Sequence, residues 1–152
     1  MTALGRLVHG SAVAFELPER VAGVLITGKS GTGKSELALE LMAMGARLVS
    51  DDQTCLCVDG GIVQMSPPST IRGLIEMRGI GLMRAKVLEP APLAVLVDLD
   101  MTETERLPPV RNCDVQGVAI PLLRKCASRA FAAGIRQYVM SRDWADPKGK
   151  IP

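Results

Sequence analysis

Val21-Ala22-Gly23-Val24-Leu25-Ile26-Thr27-Gly28-Lys29-Ser30-Gly31-Thr32-Gly33-Lys34-Ser35-Glu36-Leu37-Ala38-Leu39-Glu40-Leu41 is the stretch that decides the fold class. Its opening apolar run, Val21–Thr27, predicts a short buried strand. Gly28 to Ser35 then match G-x-x-x-x-G-K-[ST] without gaps. Ser35–Met44 has apolar residues at Leu37, Leu41 and Met44 with Ala38 between, which is helical spacing, and Gly45 is placed to end that helix. A strand before and a helix after are the context that the motif requires.

The residue types in this loop suit polyphosphate. Glycines let the chain curl so that successive backbone N–H groups face phosphate oxygens, and the helix start adds its positive end. Lys34 supplies a point charge for the β- and γ-phosphates. The Ser35 hydroxyl is a hard oxygen ligand suited to Mg²⁺. Gly28, Lys29, Ser30, Gly31, Thr32, Gly33, Lys34 and Ser35 are therefore the expected ATP-binding residues. A chance glycine-rich turn is the competing reading, and the motif does not say what receives the phosphate.

Such a site needs a carboxylate at the end of a nearby strand. Two candidates exist. Arg47–Ser50 predicts a strand ending in Asp51-Asp52, and Ala94–Leu99 predicts a strand of Walker B appearance carrying Asp98, with Asp100 beyond it. Generic P-loop rules favour Asp98. For either pair, a polar strand end is the alternative.

Outward from these elements, Leu7–Phe15 reads as a strand followed by a turn at Pro18-Glu19. Thr54–Val58 and Ile62–Ser66 flank Asp59-Gly60-Gly61, a hairpin signature. Ser69–Ile75 reads as a short helix capped by Ser69. Gly79–Met83 looks extended, Gly117–Leu123 is a further strand, Ala127–Met140 is a closing helix weakened by Gly134, and Asp143–Pro152 is a loose tail.

Bulk properties narrow the function. The 152 residues fit one domain with one core; hydrophobic residues make up 47% and charged residues 22%, a globular composition. A net charge of +2, no run of Lys or Arg, and 3% aromatics argue against nucleic acid as a partner. No apolar run approaches the roughly 20 residues that span a bilayer, and Met1–Gly10 lacks the apolar core of a signal peptide. The expectation is a cytoplasmic protein without a membrane partner. Cys55, Cys57, Cys113 and Cys126 show no metal-ligand spacing and are expected as buried, reduced thiols.

Gly28–Asp52, running through Gly-Lys-Ser-Gly-Thr-Gly-Lys-Ser to Gly-Ala-Arg-Leu-Val-Ser-Asp-Asp, resembles the catalytic domain of HPr kinase/phosphorylase, a bacterial enzyme that phosphorylates a serine of the phosphocarrier protein HPr. Ile75-Glu76-Met77-Arg78-Gly79-Ile80-Gly81-Leu82 resembles that family's E-x-R-G-x-G signature. Val8-His9-Gly10 is similar to its histidine strand, and Glu105-Arg106-Leu107 to its D-R-L segment. The resemblance spans about His9 to Leu107.

The resemblance implies an α/β fold, a P-loop-containing kinase domain with a mixed β-sheet and flanking helices. It implies Asp52 as the catalytic carboxylate with Asp51 beside it, Glu76 joining Ser35 on Mg²⁺, His9 beside the catalytic Asp, and Arg106 binding phosphate. Asp98 and Asp100 then fall in a non-catalytic strand. Taken alone, His9 reads as a structural histidine, Glu76 and Arg78 as an exposed pair on a short helix, Arg106 as a solvated loop charge, and Gly79 and Gly81 as turn formers.

HPr is the implied substrate and a homo-oligomer, a hexamer, the implied assembly. The chain resembles the shortened form without the separate N-terminal domain. Leu122-Leu123-Arg124-Lys125 does not reproduce the Gly-Arg loop that the family links to dephosphorylation, so the resemblance does not extend to the phosphorylase reaction. A kinase of a small hydroxylated metabolite and a nucleotide-sensing module without transfer activity are the two other readings.

Overall fold

The computed structural model describes residues 6–141. The expected tail Asp143–Pro152 lies outside the described residues. Ten strands and two helices follow one another: β1 (Leu7–Glu16), β2 (Val21–Thr27), α1 (Lys34–Ala43), β3 (Arg47–Ser50), β4 (Gln53–Asp59), β5 (Ile62–Ser66), β6 (Leu74–Met77), β7 (Gly81–Arg84), β8 (Ala91–Thr102), β9 (Asn112–Val115), β10 (Val118–Lys125) and α2 (Phe131–Ser141).

The main sheet is mixed. Its strand order is β2-β1-β4-β5-β8-β10-β9, β3 pairs with β1, and β2 also pairs with β8. That last pairing joins β2, β1, β4, β5 and β8 into a ring, so the sheet curves back on itself. β2 and β8 run parallel with Ile26 opposite Val97 and Thr27 opposite Asp98, and β8 and β10 run parallel with Leu123 opposite Val97. β2 and the Val95–Val97 segment of β8 are buried on both faces, which is why they read as continuous apolar runs, whereas β10 is mostly half-buried. Long β1 serves three partners: Gly10–Glu16 pair with β2, Ala12–Ala14 with β3, and Leu7–His9 with β4.

Two apolar clusters sit on the two faces of the sheet. Val13, Val24, Ile26, Leu48 and Val97 meet Leu37, Ala38 and Leu41 of α1 and Ala132, Ile135 and Val139 of α2. Ala12, Leu25, Val49, Leu56, Met65 and Leu96 fill the inside of the curve. Leu41 is fully buried, and deleting such a side chain costs about 2–5 kcal/mol. This packing fixes α1, and hence the loop before it, on a rigid frame.

Several expectations meet the structure unchanged. β2, β3 and β5 have the predicted bounds, and Gly45 at φ 106 follows the C-cap Met44. β4 and β5 form a hairpin in which Asp59 faces Ile62 and both Gly60 and Gly61 have positive φ.

Others do not. Ser69–Ile75 is not a helix: Ser69–Ile71 form a single 3₁₀ turn without a side-chain cap, and Leu74 onward is strand β6. Gly73 at φ 73 interrupts the helical path. Glu76 and Arg78 are therefore on a β6–β7 hairpin, in which Gly79 and Ile80 belong to the turn rather than to an extended run. β9 was not expected; it forms because Val118–Pro121 of β10 would otherwise present an open edge. The closing helix starts at Phe131 rather than Ala127.

The cysteines are free, as expected, but not buried: Cys57 and Cys126 are exposed and Cys55 and Cys113 half-buried. Cys57 lies on the outward-facing positions of the alternating strand β4.

Candidate active site

The loop between β2 and α1 departs from ordinary backbone at Gly33, whose φ of 97 lets α1 begin at Lys34. At Gly28 a Cβ would meet Thr32 Oγ1 at 2.6 Å and Leu99 Cβ at 3.2 Å, so only glycine lets the loop root pass. The loop is internally tied. Thr32 N–H and Oγ1 donate to Lys29 O at 3.1 and 2.7 Å, and Lys34 Nζ donates to the same oxygen at 3.1 Å. Lys34 is buried, with its ammonium lying along the loop rather than in solvent. Lys29, Ser30 and Gly31 are exposed at the loop's crest.

Strand pairing then brings distant residues to this loop. Gly10 is opposite Thr27, the last residue before the loop, and His9 is opposite Gln53. Gly10 N–H donates to Asp52 O at 2.8 Å. Because β3 and β4 both pair with β1, the connecting Asp51-Asp52 must turn between them. Asp52 takes a left-handed conformation, φ 66, which Asp tolerates better than most residues. The turn points the two carboxylates in different directions.

Asp51 is buried and accepts three hydrogen bonds. Ser11 Oγ and Ser35 Oγ donate to its Oδ1 at 2.8 and 2.7 Å, and Glu76 N–H donates to its Oδ2 at 3.1 Å. A carboxylate has about four acceptor sites, so this geometry is comfortable. Four elements thus meet on one side chain: β1, α1, the end of β3, and β6. Asp52 is two-thirds exposed, and its Oδ1 lies 3.6 Å from His9 Nδ1. Its N–H is held by Ser11 Oγ at 3.2 Å.

The structure therefore brings together His9, Lys34, Ser35, Asp51, Asp52 and Glu76 around the start of α1. Arg106 is not tied into this cluster. It is exposed on residues 103–111 and lines a cavity of about 310 Å³ with Arg111, Leu122, Phe131 and Tyr138, to which no residue of the phosphate loop contributes. Asp98 and Asp100 sit at the end of β8 beside the loop. Asp98 Oδ1 accepts Asp100 N–H at 2.9 Å, and Asp100 Oδ1 accepts Lys29 N–H at 3.0 Å.

Sequence reading missed Ser11. Its one signal was a hydroxyl in the apolar run Gly10-Ser11-Ala12-Val13-Ala14-Phe15, a position where burial demands a partner.

The cluster fits a divalent metal of the hard type. Ser35 Oγ and the Asp51 and Asp52 carboxylates are hard oxygen donors, and the Glu76 backbone is brought to the same place by its N–H bond to Asp51. Among the described residues no group of three or more His, Cys, Asp or Glu forms a metal cage.

The family described as HPr Serine kinase C-terminal domain matches residues 3–89. HPr kinase/phosphorylase of Geobacillus sp. (strain WCH70) is 40% identical over 94 residues, covering 55% of this chain and 30% of the relative. That of Clostridium beijerinckii (strain ATCC 51743 / NCIMB 8052) is 48% identical over 67 residues, covering 43% of this chain and 22% of the relative. The chain thus spans less than a third of the length of these relatives. Among solved structures, the Hpr(Ser) kinase/phosphatase from Coxiella burnetii superposes with a TM-score of 0.75 at 24% identity, covering 91% of each chain, a likeness of fold. Among the described residues, no helix is long and apolar enough to cross a membrane.

Proposed function

The chain belongs to the HPr serine kinase C-terminal domain family, and from that premise we propose that it is a Mg-ATP-dependent protein-serine kinase acting on the phosphocarrier protein HPr. The observation that carries this reading is the meeting of the phosphate loop with Asp51, Asp52 and His9. Ser35 reaches Asp51 at 2.7 Å while Asp52, next in sequence, faces solvent beside His9. A site for phosphate and a free carboxylate thus lie side by side, with the carboxylate open to an incoming hydroxyl.

In this mechanism Gly28–Ser35 cradle the triphosphate and Lys34 turns from the Lys29 carbonyl to the β- and γ-oxygens. Ser35 and Glu76 would hold Mg²⁺, which would supply neutralisation of phosphate charge there, with Asp51 orienting the Ser35 hydroxyl. Asp52 accepts the proton of the substrate serine as its oxygen attacks the γ-phosphorus, the bond from that phosphorus to the β,γ-bridging oxygen breaks, and ADP leaves. His9, whose Nδ1 lies 3.6 Å from Asp52 Oδ1, sets the orientation and local charge of Asp52. The protein's work is positioning and electrostatics. The proposal covers the kinase direction, in a cytoplasmic homo-oligomer, with a hexamer as the assembly that family resemblance suggests.

Incubation of the protein with Mg-ATP and HPr, followed by mass spectrometric mapping, tests it. A phosphoserine on HPr is the expected product. ATP turnover with a small hydroxylated metabolite and none with HPr would replace HPr as the substrate. ATP binding that is unaffected by loss of Asp52, with no transfer to any acceptor, would leave a nucleotide sensor.

A further inference from the structure

Strand β8 reaches the phosphate loop through one side chain. Asp100 Oδ1 accepts Lys29 N–H at 3.0 Å. The Lys29 carbonyl accepts Thr32 N–H, Thr32 Oγ1 and Lys34 Nζ at 3.1, 2.7 and 3.1 Å. The backbone of Lys29 is therefore the node of the loop. It is held from outside by Asp100, and it in turn holds the ammonium of Lys34.

Asp100 is itself fixed. Its N–H donates to Asp98 Oδ1 at 2.9 Å. Asp98 is the register partner of Thr27 across the parallel β2–β8 pair, so β8 ends beside the root of the loop. The approach is close, since a Cβ on Gly28 would come within 3.2 Å of Leu99 Cβ.

Two effects of Asp100 on a bound triphosphate oppose each other. Its charge repels phosphate, though an exposed carboxylate is screened by water and salt. Its hydrogen bond holds the loop root in one conformation before nucleotide arrives, which lowers the ordering cost of binding. Charge-assisted hydrogen bonds to backbone N–H are among the stronger ones, and the hydrogen-bonded partner here is the node that carries Lys34.

We propose that Asp100 is a positioning residue for the nucleotide: it pins the Lys29 N–H so that the root of the phosphate loop is preset for a triphosphate, with Lys34 released from the Lys29 carbonyl as phosphate arrives. The role rests on the ATP-binding reading above and adds to it a residue outside the P-loop motif.

Two measurements on the full chain test it. The first, without nucleotide, is hydrogen exchange of the Lys29 amide by NMR. The second is Mg-ATP affinity by calorimetry. Both are made on wild type, Asp100→Ala and Asp100→Asn, each checked for an unchanged melting transition. Asp100→Ala should speed Lys29 exchange and weaken Mg-ATP binding about tenfold, the effect of losing one charge-assisted hydrogen bond. Asp100→Asn keeps a side-chain oxygen and should recover most of both.

Unchanged Lys29 exchange in Asp100→Ala would overturn the pin. So would equal tightening of Mg-ATP in both variants, because that is the signature of charge alone. Wild-type protein that binds no Mg-ATP would overturn the kinase reading instead, and Lys29 exchange would then decide the pin by itself.

Discussion

Ser35 Oγ lies 2.7 Å from Asp51 Oδ1, which ties the first turn of α1 to the end of β3. The same oxygen accepts Ser11 Oγ at 2.8 Å, and the other carboxylate oxygen accepts the Glu76 amide. Asp51 is thus spent on holding the site together. Its neighbour Asp52, turned outward by a left-handed backbone, is left with an open carboxylate. The physical division of labour within Asp51-Asp52 follows from burial: the inner acid is saturated by donors and the outer one is reachable.

Asp52→Asn should lower phosphoryl transfer by about 10²–10⁴-fold, the usual contribution of a general base, while Mg-ATP affinity stays near wild type. The amide keeps the shape but accepts no proton. Asp98→Asn should cost little transfer, because Asp98 Oδ1 accepts the Asp100 amide, a bond that the Asn side-chain oxygen can also accept. Phosphoserine formation and ATP affinity measured side by side decide between them. A dead Asp98→Asn with a normal Asp52→Asn would reverse the assignment of the base.

Asp51→Ala should act first on stability. It strands the hydroxyl of Ser11, which is fully buried, and leaves Ser35 Oγ and the Glu76 amide without their acceptor. A loss of about 2–4 kcal/mol in urea unfolding is expected from such unpaired groups. Adding Ser11→Ala should return part of it, since the stranded donor is gone. The return is partial because the Asp52 amide then loses the Ser11 Oγ that accepts it, and a double variant less stable than Asp51→Ala would show that this bond outweighs the stranded hydroxyl.

Glu76→Gln and Ser35→Ala should each raise the Mg²⁺ concentration needed for half-maximal transfer, because each removes a hard ligand or its charge. The Glu76 amide bond to Asp51 is a backbone contact and survives the Gln substitution. The fold should therefore melt as in wild type. An unaltered Mg²⁺ titration for Glu76→Gln would make Glu76 a structural residue of the β6–β7 hairpin.

The Glu103–Arg111 pair gives a pH-dependent expectation. Arg111 Nε and a terminal guanidinium nitrogen donate to the two Glu103 oxygens at 3.1 and 3.0 Å. Those bonds hold the Glu103 carboxyl below its ordinary value of 4.5. A carboxyl with a lowered folded pKa contributes stability above its unfolded pKa and loses it as pH falls through the folded one. The stability gap between wild type and Glu103→Gln should be full at pH 7 and close on acidification below that ordinary value. A gap of constant size across the acid range would show that the pair contributes through packing and not charge.

Much of this protein was determined locally. Gly28–Ser35 announces its loop because only glycine tolerates the backbone at Gly33 and the close passage at Gly28, and because β2 and α1 carry the apolar patterns of a buried strand and an amphipathic helix. The hairpin at Gly60-Gly61 was legible for the same reason, a backbone demand that few residues meet. Asp52 and His9 were placed together by family resemblance, not by their spacing of 43 positions in the chain.

Tertiary structure decided the rest. Nothing local tells Leu74–Met77 to be a strand; it becomes one by pairing with Gly81–Arg84. β9 exists to cover an edge that appears only once β10 is in the sheet. The ring closed by β2 and β8 sets Asp98 and Asp100 against the loop, and the pairing of β3 with β1 brings Asp51 to Ser11 and to Ser35 at the start of α1. A sequence lists which side chains seek partners. Only chain crossings between residues far apart in sequence determine which partners they meet.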